Sequence, residues 1–170
     1  ILDGSAAPWV AAIRRAGRET RTGGGEPRAP LSPRRSVRVS AGESFAIALP
    51  APAPRLTVGI DFAHARAIGR QWASWAPEGP LEVSSDGPGS FAVEVAPART
   101  FATAGFVREL RAAGLACGGT LENALVCDGD DWLNGPLRFA NEPARHKLLD
   151  LLGDLALVGP LPRAHVVAFR

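Results

Sequence analysis

Three observations predict an α+β fold, a two-layer sandwich with an antiparallel-rich sheet packed by helices. Short segments between residues 36 and 95 alternate apolar and polar side chains. Pro and Gly interrupt them at close intervals. After residue 100 the apolar spacing changes to that of helices, and the longest such run, Asn141 to Val158, is Leu-rich. Strands followed by helices on one sheet face give a two-layer α+β domain.

The elements follow in order. Asp3-Gly4-Ser5 is read as a turn that starts a helix. Pro8 near its beginning and Trp9, Val10 and Ile13 at helical spacing continue it to Gly17. The apolar face of that helix needs a partner. From Arg18 to Arg35, Gly23-Gly24-Gly25, Pro27, Pro30 and Pro33 exclude helix and central strand, which makes this stretch a linker or surface loop and the best domain boundary. Its Arg28, Arg34 and Arg35 fit a solvated loop better than a site for an acidic partner. Strands are expected at Ser36–Val39, Ser44–Leu49, Leu56–Phe62, Gln71–Trp75 and Phe91–Val95. A helix is expected from Gly105 to Ala113, stopped by Gly114, then a strand from Leu121 to Cys127 and an acidic turn from Asp128 to Asp131. The long helix comes next, and His165–Phe169 reads as an edge strand.

Composition narrows the function classes. The chain has 170 residues, 46% apolar and 21% charged, as expected of a globular domain. A net charge of +2 gives no basis for nucleic-acid binding. No window holds 18 apolar residues, so no transmembrane segment is expected, and no signal peptide is read. The sequence opens on Ile1-Leu2-Asp3 and reads as a segment of a longer chain. Cys117 and Cys127 lack the partners of a zinc ribbon and are expected as small buried residues in a reducing compartment.

The long helix carries the sharpest constellation. His146 and Asp150 are one turn apart, and Asp154 is one turn further. Two readings fit: an i,i+4 surface ion pair, or two ligands of a zinc ion, with the third not evident. The charges also run against the helix dipole. Arg145 and Lys147 are near its positive end and Asp154 near its negative end, which points to something bound there.

The run from Leu137 through Leu155, with Asn141-Glu142-Pro143, Arg145-His146-Lys147-Leu148-Leu149-Asp150 and Gly153-Asp154, closely resembles the UDP-3-O-acyl-N-acetylglucosamine deacetylase family. These are the zinc enzymes of the committed step of lipid A biosynthesis. Collinear matches extend the resemblance over nearly the whole chain. They are Ile1-Leu2-Asp3-Gly4-Ser5-Ala6, Ile68-Gly69-Arg70-Gln71, Ala98-Arg99-Thr100-Phe101, Gly114-Leu115 with Gly118-Gly119, and Val166-x-x-Phe169-Arg170.

The resemblance implies two similar α+β halves with the active site between them. Residues 1–34 would end the first and link it to the second, and 35–170 would be most of the second. A helix–strand insert, about Ala102 to Cys127, would wall the acyl-chain passage. The resemblance makes His146 and Asp150 two of three zinc ligands and gives Asp154 the orienting of a catalytic histidine beyond Arg170. It makes Lys147 a substrate-binding lysine and places Thr100 and Phe101 near the substrate's amide and sugar. The family's general-base Glu and third zinc ligand would precede Ile1, so this segment alone is expected to be inactive. His165 matches a strand position and His64 a loop, neither with a catalytic role. The implied cofactor is zinc and the implied substrate UDP-3-O-acyl-N-acetylglucosamine. A cytoplasmic monomer, with peripheral contact to the inner membrane, is expected. The alternative is a non-catalytic module that binds lipid or nucleotide sugar.

Overall fold

A computed structural model describes residues 2–17, 28–77 and 87–170. The main layer is a five-stranded sheet with strand order β1-β2-β8-β3-β4. Its strands are β1 (Val37–Ala41), β2 (Ser44–Pro50), β3 (Arg55–Phe62), β4 (Gly69–Trp75) and β8 (Ala164–Phe169). The pairs β1/β2, β2/β8 and β3/β4 are antiparallel, while β3 and β8 run parallel. The long helix α4 (Glu142–Ala156) packs on β3 and β4.

Alternation sorts the side chains. Leu56, Val58 and Ile60 of β3, Ala73 and Trp75 of β4, and Ala164 and Val166 of β8 point to the helix side and are buried. Ala144 and Leu148 of α4 meet them there. On the opposite face Phe169 stacks on Phe45 at 5.9 Å and lies 5.6 Å from Trp72. Gly59 lies beneath this group, where a Cβ would come within 2.6 Å of the Trp72 ring and 2.7 Å of Phe169.

A second sheet of three strands holds β5 (Phe101–Thr103), β6 (Leu125–Asp128) and β7 (Asp131–Trp132). β5 and β6 are parallel; β6 and β7 are antiparallel. Helix α3 (Ala104–Ala112) follows β5. Its first turn is capped by Thr103, whose Oγ1 accepts from the Phe106 N–H, and Gly114 follows it at φ 73°. This is the expected helix–strand unit, but its strand is shorter than the predicted Leu121–Cys127.

Helix α1 (Ala7–Ala16) ends at Gly17, at φ 77°, as the sequence predicts. Val10 is buried, but Trp9 is 58% exposed and Ile13 48%. The turn before it is fixed by Asp3, whose carboxylate accepts from both the N–H and the hydroxyl of Ser5. Of the predicted linker, residues 18–27 lie outside the described residues. Beyond them Leu31 accepts the N–H of Arg163 and so pins the chain near the start of β8.

Three expectations are corrected. Phe91–Val95 is not a strand: Phe91–Glu94 forms a one-turn helix, α2. Phe91 and Val95 are four apart, a spacing that suits either period, and the backbone N–H groups find local partners on Ser90 and Phe91. Phe91 then packs edge-on to Trp75 and Val95 enters the core. β8 is not an edge strand but sits between β2 and β3, because the Pro50–Pro54 connection skips one place in the sheet. The sheet is accordingly mixed. Cys117 is exposed, not buried, although both cysteines are free as expected.

Candidate metal and substrate site

The site is built on α4 and on the segment 98–101 that crosses its first turns. Helix α4 has Pro143 in its first turn and is tied down by Glu142, its first residue, which is fully buried. The Glu142 carboxylate accepts from the Arg99 N–H at 3.0 Å, from its guanidinium at 2.8 and 3.1 Å, and from the Arg138 N–H at 2.6 Å. Burial pushes this carboxyl up, but the hydrogen bonds from Arg99 and Arg138 outweigh it and hold the group below the usual glutamate range. The acid also lies in the first turn, where the helix dipole favours it.

That anchoring sets the segment whose Ala98 carbonyl meets His146 Nδ1 at 3.0 Å. A carbonyl only accepts, so Nδ1 carries the hydrogen. Burial, more than any charge, pushes the imidazole below its ordinary value and keeps the ring neutral. Nε2 then presents a bare lone pair. It faces Asp150 Oδ1 at 3.6 Å, too long for a hydrogen bond. Two acceptors facing each other repel unless a cation lies between. An imidazole oriented by a backbone carbonyl and an adjacent carboxylate are donors of the kind that could hold a divalent metal ion. Among the described residues no group of three or more His, Cys, Asp or Glu side chains forms a complete metal site.

The other Asp150 oxygen, Oδ2, accepts from Lys147 Nζ at 2.8 Å. Lys147 also lies over the Phe101 ring, 5.5 Å from its centroid. Asp150, Lys147 and Asp154 line one cavity of about 260 Å³ between α4 and the ends of β3 and β8, with Gly59 and Arg170 opposite. The Asp154 carboxylate has no ion-pair partner among the described residues. So five predicted positions, His146, Lys147, Asp150, Asp154 and Phe101, converge on one region.

Thr100 and Phe101 belong also to a second cavity. Its volume is about 480 Å³, and its walls are largely apolar side chains of the helix–strand unit, among them Phe106, Val107, Leu110, Leu121, Val126 and Leu133. Phe101 is the junction, with Lys147 on one side and this pocket on the other. Thr100 is fixed by its backbone: its N–H donates to Gly4 at 2.7 Å and its carbonyl accepts from Leu125 at 2.8 Å.

Some features that looked functional in the sequence have structural explanations. Arg145, with its charge at the wrong helix end, is held by the Glu94 carboxylate at 2.6 Å and by Asn141, and stacks on Phe139 at 4.3 Å. It needs no ligand. His165 bonds Thr57 Oγ1 at 2.8 Å within the sheet, and His64 is exposed in a turn, as their non-catalytic readings predict. The sequence reading missed Glu142 and Arg99 as the anchor of the site, although both stand in the quoted matches. A glutamate at a helix start gives no signal of burial until its arginine partner is known.

The model of LpxC, UDP-3-O-acyl N-acetylglycosamine deacetylase, matches residues 1–170. The chain belongs to this deacetylase family. A relative from Thermosynechococcus vestitus, UDP-3-O-acyl-N-acetylglucosamine deacetylase, is 52% identical over the whole chain, which covers 54% of that protein. The protein of that name from Synechocystis sp. is 44% identical, with 58% of its length covered. A probable mitochondrial deacetylase of Arabidopsis thaliana is 42% identical, with 52% covered. The chain thus spans about half the length of the deacetylases it matches. Among the described residues no helix is long and apolar enough to cross a membrane.

Proposed function

We propose that the protein to which this chain belongs hydrolyses the N-acetyl group of UDP-3-O-acyl-N-acetylglucosamine, in lipid A biosynthesis, with a zinc ion as cofactor. The observation that carries this reading is the facing pair of His146 Nε2 and Asp150 Oδ1 at the rim of a cavity that also holds Lys147 and Asp154. His146 and Asp150 would be two zinc ligands, the third coming from residues outside this segment. When bound, zinc supplies Lewis acidity toward the amide carbonyl and toward water.

The chain's own residues have distinct tasks in this reading. Ala98 holds the His146 tautomer. Lys147 offers its ammonium to the substrate's diphosphate while Asp150 Oδ2 restrains it. Asp154 would orient a catalytic histidine that lies outside the 170 residues. Thr100 and Phe101 would border the sugar and amide. The apolar 480 Å³ pocket beside them would take the 3-O-acyl chain, as its lining and position support. We place residues 1–34 at the end of the first half of the deacetylase and 35–170 in the second, so that the segment alone lacks turnover. A monomer working in the cytoplasm beside the inner membrane agrees with a lipid-bearing, nucleotide-linked substrate.

The test is metal analysis and assay of the full-length parent. About one zinc per chain is expected, and His146→Ala and Asp150→Ala should each lower both zinc content and deacetylation. A full-length protein that is active without metal would sink the reading. If it holds the nucleotide sugar without hydrolysing it, a non-catalytic binding module replaces it.

A further inference from the structure

One side chain that does not line the apolar pocket is bonded to three residues of its wall. β7 ends at Trp132, and two residues later Asn134 turns its carboxamide back toward β6. Its Oδ1 accepts the Val126 N–H at 2.8 Å. Its Nδ2 donates to the carbonyl of Ala124 at 2.7 Å and to that of Leu121. The assignment of the amide is unambiguous, since the oxygen faces an N–H and the nitrogen faces two carbonyls.

All three bonded residues line the pocket, and so does Leu133, the neighbour of Asn134. Leu121 and Leu133 are each about half exposed and form its rim. Phe101 marks the end beside Lys147. The stretch 120–124 is a turn, whose position along β6 is not set by a strand ladder. Gly4 closes off the other side of this turn: a Cβ there would overlap the Asn123 carbonyl oxygen. The turn therefore sits between a glycine that admits nothing larger and an amide that holds it by two bonds and β6 by a third.

We propose that Asn134 is a positioning residue that fixes the Leu121–Val126 wall and thereby sets how long an acyl chain the pocket accepts. This rests on the acyl-pocket reading above. Asn134 touches no reacting atom. Its carboxamide replaces the backbone partner that β7 is too short to provide and holds the rim leucines where the far part of a chain would meet them.

The experiment uses the full-length parent and Asn134→Asp, which keeps the acceptor for Val126 but turns an oxygen toward the two carbonyls. Binding of myristate and octanoate is measured by calorimetry, alongside KM and kcat with long- and short-acyl substrates. Myristate affinity should fall about tenfold, with octanoate within about twofold. KM should rise for the long-acyl substrate, with kcat and the short-acyl KM unchanged. Equal losses for both chain lengths, or none, would overturn the proposal. If Asn134→Asp does not fold, Asn134→Ser, too short to reach both carbonyls, takes its place in the same comparison. A parent that binds myristate in an Asn134-dependent way but releases no acetate would sink the deacetylase reading and keep this one. An active parent whose chain-length preference ignores Asn134 would do the reverse.

Discussion

His146 Nε2 and Asp150 Oδ1 face each other across 3.6 Å, one turn apart on α4. Lys147 takes the second oxygen of the same carboxylate. One Asp150 side chain therefore faces the His146 ring with one oxygen and a cationic side chain with the other. Removing the Lys147 amine should leave the fold intact, because an exposed pair of this kind contributes at most about 1 kcal/mol. It should raise KM for the diphosphate-bearing substrate far more than it lowers stability. Lys147→Ala in the full-length parent, assayed for KM and thermal midpoint, tests this. A fall in thermal midpoint with KM unchanged would show that the lysine is only structural.

The buried Glu142–Arg99 pair should be the most costly to break. Glu142→Ala leaves a mostly buried guanidinium without its carboxylate and is expected to destabilise by about 3–5 kcal/mol. Because Ala98 is the neighbour of Arg99, the variant should also weaken metal retention through His146. Urea unfolding and zinc content read the two effects. Full stability in Glu142→Ala would refute the anchor.

The same pair gives an acid limit. The folded-state value of Glu142 lies below the unfolded one. Its contribution is therefore complete above the ordinary glutamate value, about 4.3, and is lost as pH falls through the depressed folded value. Stability should decline below about pH 4.3, and Glu142→Gln should flatten that part of the profile. Denaturant midpoints followed downward from about pH 6, from above the ordinary glutamate value of about 4.3, decide it; an unchanged slope in the glutamine variant argues against the assignment.

Gly4 should tolerate no side chain. Its φ of +79° costs an L-residue about 1–2 kcal/mol, and a Cβ would overlap the Asn123 carbonyl. Its carbonyl also holds the Thr100 N–H. Gly4→Ala is expected to destabilise and to disturb Thr100, visible as a lowered thermal midpoint and a shifted backbone amide resonance of Thr100. An unperturbed Thr100 signal would count against this link.

Much of this was legible in the sequence, for reasons specific to each element. In Ser44–Pro50 large and small apolar residues alternate, and in Arg55–Phe62 Leu56, Val58 and Ile60 share one buried face, so their period of two is plain. Helix α4 carries its Leu residues and the His146, Asp150 and Asp154 spacing openly, and the chain order of the matches located Thr100 and Phe101. What sequence could not show was long-range. Phe91 and Val95 fit either period until Trp75 is placed beside them. Ala98 carries no chemistry in its side chain, yet its carbonyl fixes the His146 ring. Arg145 looked like a ligand-bearing charge because Glu94, its partner, is far away in sequence.

The central place of β8 bears on how the chain comes to fold as it is made. Its partners, β2 and β3, are synthesised more than 100 residues earlier, as the Thr57–His165 separation of 108 records. Until residues 164–169 emerge, those two strands have no common neighbour, and each presents an open edge. The sheet is completed by its last member, so contacts of high sequence separation govern the rate of its formation. A nascent chain halted before Ala164 would hold two hairpins without the strand that joins them, a state suited to chaperone capture and to edge-to-edge aggregation.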